Sequence, residues 1–66
     1  MDFHNYVGKI VDIVSDNNNY KLVGKLSNHK PNLYQVTGEQ GHRVFWNWEV
    51  LAYHVELSNN KLTIFI

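Results

Sequence analysis

At short, even intervals this chain is broken by clusters of residues that favour reversals: Ser15-Asp16-Asn17-Asn18-Asn19, Ser27-Asn28-His29-Lys30-Pro31, Gly38-Glu39-Gln40-Gly41 and Ser58-Asn59-Asn60-Lys61. Asn and Asp side chains bond to nearby backbone and tolerate left-handed conformations, and glycine reaches positive φ at no steric cost. Pro31 removes a ladder donor and biases Lys30 towards extended backbone. The segments between these clusters are too short for helices that stand alone in water, and they are rich in β-branched and aromatic residues, so they are predicted as strands. Tyr6 to Val14, Tyr20 to Leu26, Asn32 to Thr37, Arg43 to Trp48, Ala52 to Leu57 and Leu62 to Ile66 are the candidates. Such spacing is the signature of an all-β sandwich or barrel, here of five to six antiparallel strands.

Alternation along the segments assigns faces, because side chains of a strand point to opposite sides with a period of two. Tyr20, Leu22, Gly24 and Leu26 share one face, with Lys21, Val23 and Lys25 on the other, so this strand is predicted to be half buried. The first segment alternates imperfectly, which predicts a bend or bulge with Gly8 as its pivot. Helix is confined to about one turn near Asp2 to Asn5 and another near Glu49 to Ala52.

Length sets the energetic frame. A chain of 66 residues has room for one domain, residues 1–66, and a domain of this size buries only roughly 60% of its unfolded surface. It has no cysteine and therefore no disulfide staple, which leaves self-association as the common remedy for marginal stability. Six basic residues balance six acidic ones, so no global field draws in phosphate backbones or anionic lipid. The first residues lack a basic leader and an apolar run, and no segment is apolar for long enough to cross a bilayer, which predicts a cytoplasmic protein with no membrane partner.

Several chemistries lack their residues. There is no nucleophile elbow around Ser15, Ser27, Thr37, Ser58 or Thr63, and the acids Asp2, Asp12, Asp16, Glu39, Glu49 and Glu56 are dispersed rather than paired. His4, His29, His42 and His54 show no metal-ligand spacing, and the four glycines stand apart rather than in a phosphate or dinucleotide loop. The expectation is a non-enzyme with no cofactor, no metal and no small-molecule substrate.

Two features stand out. Lys21 and Lys25 share a strand face, with Lys9 and Lys30 nearby in sequence and aromatic residues as stacking surfaces, a combination that suits single-stranded nucleic acid but also keeps an exposed strand soluble. Trp46 and Trp48 share a parity and are bulky enough to dominate a small core or to anchor an interface; burial is the expectation in so short a chain, and an interface is the alternative. A third feature is the apolar final segment, where Leu62, Ile64 and Ile66 face one way. That strand must be covered, either within the domain or by another subunit's edge, and these three residues are candidates for an interface.

The order of a bent strand, an Asn-rich turn, Tyr20 to Leu26, a loop, Asn32-Leu33-Tyr34-Gln35-Val36, a turn and Val44-Phe45-Trp46-Asn47-Trp48 resembles the Sm-like branch of the SH3-like barrels. The resemblance implies a small, strongly bent SH3-like barrel. It sets Asn32 at the place of that family's RNA-contacting loop asparagine, Asn28 near its acidic position and Lys30 near its aromatic stacking position. Where the family carries an Arg-Gly step, this chain has Trp46-Asn47. Two functions are thus expected: a binding module that self-associates or joins a protein assembly, and, as the alternative, an RNA-binding protein with Lys21, Lys25, His29, Lys30 and Asn32 as contacts.

Overall fold

The computed structural model describes residues 3–15 and 17–66, and the segments between the reversals are strands. They are β1 (Ile10–Ser15), β2 (Tyr20–Lys30), β3 (Leu33–Gly38), β4 (Gly41–Trp46), β5 (Ala52–Glu56) and β6 (Lys61–Phe65), with single 3₁₀ turns at His4–Tyr6 and Asn47–Glu49. The Asn-rich reversals have the backbone expected of them: Asn17, Asn18 and Asn60 have φ of 54°, 72° and 54°, in the left-handed region that Asn enters more readily than other side chains. Asp2 and Asp16, which the predicted first helical turn and first reversal include, lie outside the described residues.

The predicted bend at Gly8 is a bulge. Gly8 has φ of 88°, its N–H donates to the Leu26 carbonyl at 2.8 Å, and the Leu26 N–H donates to the Lys9 carbonyl at 3.0 Å. Two residues thus oppose one, and the regular strand starts at Ile10 instead of Tyr6. β2 is longer than predicted. Asn28 Nδ2 donates to the Lys30 carbonyl at 2.7 Å and the Leu33 carbonyl at 3.1 Å, bridging a register shift between Asn28 and Lys30. The reversal shrinks to Pro31-Asn32.

All six strands belong to one sheet, in the order β4-β3-β2-β1-β6-β5. This corrects the expectation of a barrel of antiparallel strands in two respects. The sheet is open, with β4 and β5 as its edges, and β6 runs parallel to β1 through Asp12↔Thr63, Ile13↔Ile64 and Val14↔Phe65. The cause is the link at residues 47–51. Its 3₁₀ turn carries the chain onward in the same sense rather than reversing it, so the β5–β6 hairpin arrives with β6 parallel to β1.

That link also curls the sheet. Six strands laid flat at ~4.8 Å spacing would hold their edges roughly 24 Å apart. A link with one 3₁₀ turn and two extended residues reaches only about 16 Å. The adjoining ends of β4 and β5 are therefore drawn towards each other around a shared interior, within a body of 26 × 26 × 24 Å.

The interior is one cluster: Val11, Ile13, Leu22, Leu26, Tyr34, Val36, Phe45, Leu62 and Ile64, with Phe3 from the N-terminal segment. Phe3 is fully buried and meets the rings of Tyr34 and Tyr53 edge-on, at centroid distances of 5.7 and 6.2 Å. Tyr34 stacks on Phe45 at 5.9 Å. Where the β2–β3 ladder begins the backbones of β2 and β3 touch: a Cβ on Gly24 would overlap the Thr37 carbonyl, and one on Gly38 would overlap the Val23 carbonyl.

On the outer face Asp12 is buried, with its carboxylate 3.2 Å from Lys61 Nζ and 3.7 Å from Lys21 Nζ. It holds two ammonium groups across three adjacent strands. Asp12→Asn removes the carboxylate between them and is expected to cost about 1–3 kcal/mol. Urea unfolding checks this as a lower midpoint with an unchanged slope; an unchanged midpoint would refute it.

Candidate functional site

The end of β4 and the link after it form the most distinctive surface. In β4 the register Tyr34↔Phe45 and Val36↔Arg43 turns Phe45 into the core, and the period of two then turns Val44 and Trp46 outward. Trp48 follows in the 3₁₀ turn and lies on Trp46 with ring centroids 4.8 Å apart and planes 7° from parallel. Trp46 is 37% and Trp48 68% exposed. The expectation of core tryptophans is therefore corrected: both indoles are at the surface, as a stacked pair. Glu49 fixes the turn that presents them, its Oε1 accepting from the Trp46 N–H at 2.8 Å while Oε2 lies 3.8 Å from Arg43 Nη2.

The final strand is placed differently from its interface candidacy. β6 lies between β1 and β5, so Leu62 and Ile64 are buried core residues, and Ile66 is half-buried with its N–H donating to the Val14 carbonyl at 2.9 Å. Covering an apolar strand on both sides is the intramolecular solution to an aggregation-prone edge. The edge role passes to β5, where every residue except half-buried Val55 is exposed. The sequence signal for this is the polar content of Ala52-Tyr53-His54-Val55-Glu56.

The candidate nucleic-acid contacts do not form one cluster. Lys21, Lys25 and His29 point outward from β2 at every fourth residue, roughly 13 Å from one to the next along a strand. Lys21 is engaged with Asp12, and the His29 ring is hydrogen-bonded to the Gln35 side chain. Lys30 and Asn32 are exposed at the Pro31-Asn32 reversal, at the opposite end of β2 from Lys21.

One further contact extends the β3–β4 hairpin beyond Leu33↔Trp46. The Asn47 N–H donates to the Asn32 carbonyl at 2.8 Å, so the β2–β3 reversal and the β4–β5 link meet directly beside the indole pair. Asn47 Oδ1 is buried there without a hydrogen-bond partner. Among the described residues no group of three His, Asp or Glu side chains is placed to hold a metal ion, and no helix is long and apolar enough to cross a membrane. No family model matches this chain, and no curated protein and no solved structure shows significant similarity to it.

Proposed function

We propose that this protein is a non-catalytic binding module that works as a homo-oligomer or assembly subunit, joined through its sheet edges and the adjacent indole patch. The observation that carries this is the presence of two exposed edges of different character on one open sheet. β4 offers His42, Val44 and Trp46 outward, and β5 offers Ala52, His54 and Glu56. An edge strand presents unpaired main-chain groups, and two unlike edges join head to tail into rings or filaments. An antiparallel register that keeps inner residues inward sets Phe45 against Tyr53, Trp46 against small Ala52, and His42 against Glu56. Large meets small and basic meets acidic.

The SH3-like, Sm-like arrangement is part of the same proposal. It is supported by the close approach of β2 and β3 at Gly24 and Gly38 and by β4 running through a 3₁₀ turn into β5; the interposed β6 departs from that plan. The cysteine-free composition fits a reducing compartment such as the cytoplasm.

Light scattering over a concentration series tests the assembly. A mass of several chains is expected at micromolar concentration, and Val44→Glu, at an exposed edge position, is expected to return the mass to one chain without lowering the melting temperature. Wild-type protein that stays at one chain's mass at high micromolar concentration would overturn it.

RNA binding is the second reading, favoured by the contact between Asn32 and Asn47 beside two stacked indoles, since bases stack on exposed aromatic faces. Affinity for oligo(U) or oligo(A) is then expected to fall steeply with salt, and to drop by about tenfold in Trp48→Ala, in line with the ~1–3 kcal/mol of a base–aromatic stack. Indifference to both changes ends that reading.

A further inference from the structure

A groove of about 580 Å³ lies on the outer face beside the first half of β2, lined by Ile10, Lys21, Val23, Lys25 and the β3–β4 turn from Gly38 to Gln40. It exists because β2 outlasts its partner. The β2–β3 ladder starts at Lys25↔Thr37, whereas the β1–β2 ladder runs on to Ser15↔Tyr20. Residues Tyr20 to Val23 are thus paired on one side only.

The direction of their main-chain groups follows from the bulge. Leu26 directs its N–H to Lys9 and receives the Gly8 N–H on its carbonyl, so its main chain faces β1. The two-residue period then turns the main-chain groups of Lys21 and Val23 the opposite way; the Val23 carbonyl lies against Gly38, which leaves the Lys21 groups and the Val23 N–H facing the groove.

The side chains around this open stretch are of two kinds. Ile10 and Val23 are 56% and 45% exposed, an unusual amount of aliphatic surface for neighbouring strand positions. Lys25 and Lys21 flank them; Lys21 lies 3.7 Å from the Asp12 carboxylate, and Glu39 is the acidic residue in the lining. Lys25 forms no ion pair among the described residues. No aromatic side chain lines the groove, so a nucleobase would find no platform in it.

We infer that this groove is a docking site for an extended segment of a partner protein that alternates aliphatic and acidic residues and adds as a short strand beside Lys21 to Val23. Main-chain bonds to Lys21 and to the Val23 N–H supply the affinity common to strand addition. Aliphatic side chains of the segment cover Ile10 and Val23, and its carboxylates meet Lys25 and Lys21. The site is distinct from the β4 and β5 edges and goes beyond the assembly proposed above.

The test uses the full chain, isotopically labelled, and three end-capped octapeptides: alternating Val and Glu, alternating Val and Lys, and Val and Glu with alternate amides N-methylated. The Val/Glu peptide is expected to shift the Lys21, Val23 and Lys25 amides saturably and to protect Lys21 and Val23 from exchange. Binding is expected to weaken at least tenfold for the Val/Lys peptide, for the N-methylated peptide, and for the Lys25→Glu protein. Val44→Glu is expected to bind the Val/Glu peptide as wild type does, which separates this site from the sheet edges. Equal binding of all three peptides, no shift at millimolar Val/Glu peptide, shifts confined to Trp46 and Trp48, or a preference of these amides for oligo(U) would each overturn the inference.

Discussion

Gly24→Ala is expected to cost the protein about 3 kcal/mol or more, over half of a small domain's stability. The new methyl group would sit on the Thr37 carbonyl and against the Gly38 nitrogen, and these are backbone atoms that no rotamer change can move. Relief requires β2 and β3 to separate where their ladder begins, at Lys25↔Thr37. Overpacking a fitted interior costs ~1–3 kcal/mol when side chains can yield, and more when they cannot. A small domain near the lower end of the stability range holds about 5 kcal/mol, so a loss of ~3 kcal/mol takes more than half of it and lowers the urea midpoint accordingly.

Gly8→Ala is the control. Its Cβ would meet nothing within 4 Å, and only the φ of 88° opposes it, so the expected cost is about 1 kcal/mol. Circular dichroism and urea titration of the two variants give the comparison. A Gly24→Ala protein as stable as Gly8→Ala would show that the strands do not touch at this point.

Phe3→Ala is expected to be the most damaging truncation in the N-terminal segment. Phe3 precedes the first 3₁₀ turn, yet it is fully buried between the rings of Tyr34 and Tyr53 and joins the same cluster as the sheet residues. It fills the interior that an open, curled sheet cannot close by itself. Removing a buried phenylalanine costs about 3–5 kcal/mol, and each kcal/mol lowers the melting temperature of a domain this small by roughly 4–8 °C. A fall of ~12 °C or more is therefore expected, with Phe3→Leu recovering part of it. A shift of only a degree or two would mean that the N-terminal segment is detached in solution.

Phe3 also marks what sequence patterning misses. Nothing in Phe3-His4-Asn5-Tyr6 alternates, so no period flags a core residue there. The strands were legible where one face was clearly polar. In Tyr20 to Leu26 the lysines at every other position point to solvent, and Leu22, Gly24 and Leu26 are indeed buried. In Arg43 to Trp48 both parities carry aromatic rings, so alternation defines two faces without saying which is covered. The pairing of Phe45 with Tyr34 made that choice, and the two indoles, the larger residues, went outside.

The candidate surfaces divide in the same way. The lysine spacing on β2 could be read from residue order, as could the need to cover Leu62 to Ile66. Which strand would supply the cover could not, because it depends on a crossing between opposite edges of the sheet. The contact of Asn32 with Asn47 continues the β3–β4 hairpin one rung past Leu33↔Trp46, so it follows from the register that the Gly38–Gly41 turn sets.

Residue order alone set where this chain turns, where its strands run and which side chains share a face, because turn chemistry and the two-residue period act between near neighbours. Strand order, the parallel β1–β6 pair, the outward indoles and the half-open stretch of β2 were decided only by the assembled sheet. Their cause is long-range pairing, which selects among faces and edges that local propensity leaves equivalent.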